Sequence, residues 1–262
     1  MTEEVKQIRE LMRKLPPERK KELIDSLPPS TAEVLLYDWF LWARDKQIRP
    51  EGRDWSIWIL NCGRGFGKTR VGAETVRMWA EENPGTRIVI VGRTSGEAKS
   101  ICVEGESGIL AVSPSWFYPT WKSSKGELIW PNGSVARVYT AEKPDKFRGE
   151  QCQFLWLDEF AAYRYLTESW NALIPAWRLG DFTQAIITTT PRPVKLLKEL
   201  MKRPDVIVTK GSTYENLENL APDFRRNVVE QLEGTRFGRQ ELHVEILDDI
   251  PGALWTLKRL AA

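Results

Sequence analysis

The chain has 262 residues, 42% of them apolar, which is enough for one sizeable hydrophobic core and a small appended subdomain. Its 38 lysines and arginines nearly balance 36 acidic residues, so the net charge is +2 and any nucleic-acid contact must come from a local basic patch. No apolar run approaches the roughly 18 residues of a membrane-spanning helix, and the first residues lack a signal-peptide core, so we expect no membrane span and no secretion.

Cysteine and histidine content argues against a zinc site or a disulfide framework. Cys62, Cys102 and Cys152 lie far apart in no metal-ligand spacing, and His243 is the only histidine. This pattern suits a reducing compartment.

The first sixty residues predict a helical preface followed by a tryptophan-rich stretch. Residues 2–26 give two short amphipathic patterns, Val5–Leu15 and Arg19–Leu27, which are broken by Pro16-Pro17 and closed by Pro28-Pro29. We expect four tryptophans between residues 31 and 60 to pack in the core around the first strand: Trp39, Trp42, Trp55 and Trp58.

A glycine-rich segment, Asn61–Arg70, lies between an apolar run, Trp55–Leu60, and a helical pattern, Val71–Ala80. A strand, a glycine-rich turn and a helix N-terminus in this order aim backbone N–H groups at a polyphosphate. Lys68 is then placed to reach the β and γ phosphates, and Thr69 to ligate Mg²⁺. The segment therefore predicts an ATP-binding phosphate loop.

The loop departs from the strict pattern G-x-x-x-x-G-K-[ST], because Cys62 stands where the first glycine is expected. Gly63 and Gly65 keep the loop flexible. A chance glycine-rich turn is the alternative, and the rest of the chain must decide between them.

A second apolar run, Gln153–Leu157, ends in the adjacent carboxylates Asp158 and Glu159. In a phosphate-loop ATPase, a carboxylate at the end of such a strand holds Mg²⁺, which is the role that fits Asp158. Glu159 points elsewhere and can orient or deprotonate the attacking water. A solvated strand end is the alternative for the pair alone; together with Lys68 and Thr69 it predicts ATP hydrolysis.

Further strands are predicted at Arg87–Gly92 and Gln184–Thr190, and strands alternating with helices favour a parallel sheet. The Asn132-Gly133 turn between Leu128–Trp130 and Val135–Tyr139 predicts an antiparallel hairpin at the sheet edge. The fold class we expect is an α/β P-loop NTPase with a mainly parallel sheet, helices on both faces, an antiparallel edge hairpin and a small helical lid.

The tail supplies that lid. A short strand, Val206–Val208, is followed by helical patterns at Asp223–Leu232 and Phe237–Leu247, with Gly234 as a helix stop between them. We expect an ATPase core with its helical preface at residues 1–210, a lid subdomain at 211–250, and a linker beginning at 251–262.

Several blocks, in order along nearly the whole chain, resemble the large terminase subunit of tailed double-stranded DNA phages and related gene-transfer particles. They are Trp42–Gln47, Gly63–Thr69, Trp130–Gly133, Phe147–Gly149, Trp156–Glu159, Thr188–Pro193 and Gly234–Glu241. Phosphate loops in that family are irregular, so Cys62 ceases to be an objection. The resemblance implies an ATPase motor that hydrolyses Mg·ATP to translocate double-stranded DNA through the portal into a procapsid.

The resemblance also implies roles for residues that composition and spacing leave unexplained. Arg44 and Gln47 match the motif that contacts adenine, with an exposed polar pair as the alternative. Arg64 matches a basic loop residue near the γ-phosphate, with an outward solvated arginine as the alternative. Arg148 matches the arginine finger that enters a neighbouring subunit, with a structural salt bridge as the alternative.

Thr188, Thr189 and Thr190 match the coupling motif, although a β-branched triplet is also ordinary strand filler. The implied site therefore has the following members: Glu159, Arg148, Arg64 and Lys68 for catalysis; Gly63, Arg64, Gly65, Phe66, Gly67, Lys68, Thr69, Arg70, Arg44 and Gln47 for ATP; Thr69 and Asp158 for Mg²⁺; and Thr188–Thr190 for coupling. We expect no DNA-contact residue to be identifiable from the basic clusters.

The implied partners are double-stranded DNA, the portal protein, the small terminase subunit, and further copies of this chain. The copies would form a pentameric ring on the procapsid, with a monomer in solution, in the host bacterial cytoplasm at the portal during packaging. Two other functions stay open at this stage: a helicase-like translocase, and an assembly module whose ATP state only controls docking.

The large terminase family usually carries a second, nuclease domain, but only seven residues follow Trp255. We therefore expect the motor half alone, with no DNA cleavage, and we do not interpret Asp248 and Asp249 as nuclease ligands.

Overall fold

The structure, a computed structural model, describes residues 10–245. Its centre is an eight-stranded sheet in the order β3-β4-β5-β2-β6-β7-β1-β8. The strands are β1 (Ile57–Cys62), β2 (Arg87–Gly92), β3 (Thr120–Lys122), β4 (Glu127–Ile129), β5 (Val135–Thr140), β6 (Phe154–Asp158), β7 (Gln184–Thr189) and β8 (Val206–Gly211). All neighbours are parallel except the pairs β3–β4 and β4–β5, which confirms the mainly parallel sheet and its antiparallel edge.

Helices cover both faces of this sheet, as the sequence predicts. They are α1 (Pro17–Asp25), α2 (Pro29–Leu36), α3 (Trp39–Trp42), α4 (Lys68–Glu82), α5 (Ser95–Ser100), α6 (Ile109–Val112), α7 (Leu166–Leu173) and α8 (Lys195–Leu200). Alternation along β1 sends Trp58 and Leu60 into the core under α4 and α6, and Ile57 and Ile59 into the core under α7 and α8. Within the part of the chain that the structure describes, no helix is long and apolar enough to cross a membrane.

Helix α4 approaches the sheet at Gly72. A Cβ atom at this position would lie 2.2 Å from the ring of Trp156 on β6, so the absence of a side chain sets the helix-to-sheet distance. One turn before its end, Trp79 stacks on Phe154 with ring centroids 4.6 Å apart. The helix that follows the phosphate loop is thereby fixed to the strand that ends in Asp158.

The preface differs from its prediction in two respects. Pro29 begins α2 and does not merely close the preceding helix, because a proline in the first turn gives up no helical hydrogen bond. Trp39, Trp55 and Trp58 are buried as expected, but Trp42 is 38% exposed and donates from Nε1 to the Leu35 carbonyl. Most of the predicted helix Val5–Leu15 lies outside the described residues.

After β8 the chain is helical but more broken than predicted. A helix, α9, consists of Pro222–Phe224, a π-helical stretch Arg225–Val229, and Glu230–Leu232. A final short helix, α10, spans Arg236–Glu241 and ends well before the predicted Leu247. Gly234, with φ of +74°, separates the two helices as expected. The predicted linker, Asp248 and Asp249 lie outside the described residues.

Candidate ATP site

Three neighbouring strands end at one edge of the sheet. Leu60 of β1 and Asp158 of β6 both pair with Thr188 of β7, so the segments that follow these strands emerge together. The carboxyl edge of a parallel sheet is the usual place for a ligand. Here it forms a cleft of about 590 Å³ that is lined by residues 64–70, 93–107, 158–162 and 190–192, in part.

The phosphate loop bridges β1 and α4 in five residues. Gly65 and Gly67 have φ of +71° and +90°, a left-handed conformation that side chains disfavour, and α4 begins directly after Gly67. Phe66 between them is fully buried and anchors the loop. Lys68 and Thr69 start the helix and line the cleft, so its unpaired N–H groups lie beside the cleft.

Lys68 is almost completely buried, with 8% of its surface exposed. Its Nζ donates to the carbonyls of Cys62 and Gly63 at 3.2 and 3.1 Å and lies 3.7 Å from Oε1 of Glu159. The ammonium is thus held between the loop and the carboxylate, which is a suitable location for a cation that meets phosphate oxygens.

Asp158 ends β6 in a fully buried environment. Burial raises the pKa of its carboxyl group to about 6, although hydrogen bonding by Thr188 opposes this shift. Oδ1 accepts a hydrogen bond from Thr188 at 2.6 Å, and the Cys102 thiol lies 3.8 Å from Oδ2. A carboxylate that is costly to ionise alone is well suited to a position where a cation joins it.

Glu159 has φ of +50°, which is uncommon for a residue with a side chain. Such a backbone costs on the order of 1–3 kcal/mol and occurs preferentially at functional sites. It turns the side chain away from that of Asp158 and into the cleft. There, Oε2 accepts a hydrogen bond from Thr190 at 3.2 Å.

The three threonines at the end of β7 each contact the end of β6. Thr188 donates to Asp158, Thr189 accepts from the backbone N–H of Ala161 at 3.2 Å, and Thr190 donates to Glu159. Strand filler would need none of these bonds. The triplet therefore connects both carboxylates of the cleft to one strand.

Arg44 and Gln47 lie against the loop and are not among the residues that line the cleft. Both donate to the Phe66 carbonyl, from Nη2 of Arg44 at 2.5 Å and Nε2 of Gln47 at 3.1 Å. Gln47 also accepts from the Arg44 N–H, and Arg44 donates to Asn216. Gln47 is buried, so the alternative of an exposed polar pair does not describe it.

Arg64 lies at the cleft with 55% of its side chain exposed. Its Nε donates to Oε2 of Glu241 at 2.9 Å, while the Glu241 side chain is 1% exposed. The arginine is consequently neither free in solvent nor engaged with the carboxylates of β6.

Arg148 lies outside the cleft, beside a larger groove of about 1310 Å³ between the segment after β5 and α7. Its side chain is 80% exposed and 3.2 Å from Asp145, itself 86% exposed. An exposed pair of this kind contributes little to stability. The larger groove contains none of the phosphate-loop or carboxylate residues, so we place the candidate site in the smaller cleft.

Sequence reasoning missed two cations in the cleft lining, Arg93 and Arg192. Arg93 directly follows β2 and pairs with Glu97 through Nε and Nη2, and Arg192 follows the threonine triplet of β7. Both follow strand ends at the carboxyl edge, which is the signal that would have found them.

The chain also matches known proteins. Residues 59–262 match the family described as terminase large subunit, T4likevirus-type, N-terminal. The ATPase domain of the large terminase of Thermus phage P74-26 is similar in structure, with a TM-score of 0.57 and 16% identity over 76% of this chain and 94% of that one.

The large terminase of another phage, a thermophilic bacteriophage, is similar as well. One of its structures gives a TM-score of 0.61 and 15% identity over 82% of this chain and 53% of that one. Another, in complex with ATP-gamma-S, gives 0.57 and 14%, with coverage of 82% and 52%. This chain thus spans about half the length of that second terminase. With a match over most of its length, the chain belongs to the family of terminase large subunits.

Proposed function

We propose that the cleft binds Mg·ATP and that Glu159 directs the attacking water at the γ-phosphate. By its family the chain is the ATPase part of a motor that packages DNA. The single observation that carries the residue assignment is the meeting, in one cleft, of the Lys68 ammonium, the carboxylates of Asp158 and Glu159, and the threonines that bond to them.

The roles follow from charge and position. Lys68 meets the β and γ phosphates, and the N–H groups at the start of α4 complete the phosphate contact. Glu159, held by Thr190 and facing the cleft, orients and deprotonates the water. We also propose that Thr188–Thr190 sense loss of the γ-phosphate, because every one of them bonds to the β6 end.

The donors in the cleft fit magnesium. Thr69 and Asp158 both line it, and between residues 10 and 245 no group of three or more histidine, cysteine, aspartate or glutamate residues forms a cage for a metal ion. Magnesium needs no such cage, because it keeps several waters and takes one or two protein ligands beside phosphate oxygens. When bound, it would offset negative charge on the phosphates.

We keep an adenine contact for Arg44 and Gln47 as part of the proposal. The Gln47 amide already accepts from Arg44 and donates to Phe66. It retains a second N–H and a second lone pair, which an adenine edge can use.

The proposed partners are double-stranded DNA, the portal protein, the small terminase subunit and neighbouring copies in a ring, at the portal in the bacterial cytoplasm. The exposure of Arg148, away from its own cleft, supports the neighbouring copy: the side chain is available to a second subunit. We further propose that residues from 211 onward act as a lid on this core.

The test is steady-state ATP hydrolysis by the chain, with and without double-stranded DNA, and Lys68→Ala as the blank. We expect turnover that requires magnesium and disappears in the blank. Turnover equal to that of the blank, even with DNA present, would reject hydrolysis and leave the docking module that is only gated by ATP. Separation of a tailed duplex would favour the helicase-like translocase.

A further inference from the structure

The first half of the phosphate loop is attached to the end of the described chain. The Arg64 N–H donates to the Glu241 carbonyl at 3.0 Å, and the Thr213 hydroxyl donates to the carbonyls of Arg64 and Glu241 at 2.8 and 3.3 Å. Gly63 has no room for a side chain, since a Cβ atom would lie 2.7 Å from both the Glu241 carbonyl and the Thr213 hydroxyl. Loop and α10 therefore form one packed unit.

The Glu241 side chain adds a charge to this unit. A buried carboxylate is costly unless it is paired and hydrogen-bonded, and among the described residues Arg64 is the cation that pairs with it. The two side chains differ sharply in exposure, with Glu241 buried and Arg64 facing the cleft. The buried partner thus fixes the direction of the exposed one.

The guanidinium group can serve two partners at once. Its Nε–H is directed at Glu241, and the remaining donors of the planar fork belong to the two terminal nitrogens. Those nitrogens can bind a phosphate oxygen in the cleft without release of Glu241. Phosphate binding would then hold α10 more firmly, and loss of phosphate would loosen it.

We infer that Glu241 is a positioning residue for Arg64 and that, through it, the phosphate occupancy of the cleft controls how tightly α10 is held. This inference rests on the proposed ATP site. It adds a route from the nucleotide to the tail that does not pass through β7.

The first experiment compares Glu241→Gln with Glu233→Gln. Glu233 lies in the same tail and pairs with His243 at 3.0 Å, but the structure gives it no contact with the loop. We expect Glu241→Gln to lower kcat about tenfold with less than a threefold change in KM, and Glu233→Gln to change neither. In an Arg64→Ala background, Glu241→Gln should have no further effect on kcat. Equal losses in both backgrounds would overturn the inference.

A second measurement uses the wild-type chain, so it does not depend on how well a variant folds. Hydrogen exchange at residues 236–242 should slow several-fold with saturating ATPγS, and the slowing should vanish in Arg64→Ala. Unchanged exchange in wild type, with ATPγS bound, would overturn the coupling. Wild-type hydrolysis above the Lys68→Ala blank reports separately on the ATPase function, so the two failures are distinguishable.

Discussion

The Thr190 hydroxyl donates a hydrogen bond to Glu159 Oε2 at 3.2 Å, and it does so from a different strand. The bond orients the carboxylate that we assign to water activation. Thr190→Val preserves the shape of the side chain but removes the donor. A hydrogen bond to a charged group contributes about 1.5–3 kcal/mol, so we expect kcat to fall by roughly ten- to hundredfold with little change in ATP affinity. Thr190→Ser should recover most of the activity, and a Val variant with normal kcat would contradict the assignment.

Glu159→Gln is nearly the same size as the wild-type residue and keeps an acceptor for Thr190, but it cannot take a proton. We expect ATP to bind with affinity close to wild type while turnover falls by about 10²–10⁴. Single-turnover hydrolysis beside equilibrium binding of ATPγS separates the two effects. Normal turnover would remove Glu159 from the role of base.

Asp158 gives a prediction for stability against pH. Its folded-state pKa of about 6 lies above the ordinary 3.8, so ionisation of this group opposes folding above pH 6 and has no such effect below about pH 4. Without magnesium or nucleotide, Asp158→Asn should therefore raise the free energy of unfolding at pH 7, by at most about 3 kcal/mol. The gain should shrink as the pH falls through 6. Urea unfolding at pH 4, 5.5 and 7 checks this.

Asp205→Asn is the matched control for that series, because its expected sign is opposite. Hydrogen bonding by Arg203 lowers the pKa of the Asp205 carboxyl, so its ionised form favours the folded state. Asparagine should reduce stability at neutral pH, with a smaller difference in acid. The same sign for both variants would contradict the pKa argument.

Arg148 should act on a neighbouring subunit if the ring proposal is right. Arginines that reach a transition state in trans contribute about 10³–10⁵ in rate. We expect the specific ATPase activity of wild type to rise with protein concentration and that of Arg148→Ala to stay flat. Lys146→Ala is the control, since Lys146 is exposed on the same turn. Activity independent of concentration in wild type would point instead to an arginine in cis, with Arg64 the first to test.

Gly72→Ala tests the contact between α4 and the sheet. A helical glycine replaced by alanine ordinarily stabilises a protein by up to about 1 kcal/mol. At Gly72 the new methyl group would meet the Trp156 ring, so we expect a loss of about 1–3 kcal/mol in urea unfolding. Gly96→Ala in α5 is the control, because there the nearest atom would be 4.0 Å away. Equal stability changes would show that the helix can move outward at no cost.

The predictable part of the fold was the part with a strong local pattern. β2 was predicted at its observed bounds, and the run ending at Asp158 and the turn at Asn132-Gly133 led to observed elements. Each combines a short apolar run with a turn or charge that ends it, and a parallel arrangement then brings the strand ends together. The cleft at that edge followed from the same reasoning.

What escaped prediction depends on contacts between distant segments. Nothing local distinguishes Trp42, which is exposed, from Trp39, which is buried three residues earlier. Gln47 was expected to contact a ligand, and the structure shows it bonded to the loop carbonyl at Phe66. The pair Arg64–Glu241 joins residues 177 positions apart, and no periodicity reports on such a partner. The roles of these residues in catalysis stay predictions.

The strand order has a consequence for how the molecule is made. β1 emerges early from the ribosome, yet its partners in the sheet are residues 184–189 and 206–211, more than a hundred residues later. Pairings of this range form slowly, because a long loop must close first. The apolar strand that carries the phosphate loop must therefore wait, unpaired, until four-fifths of the sequence has been synthesised. A nascent chain shorter than this cannot use ATP as a template for its folding.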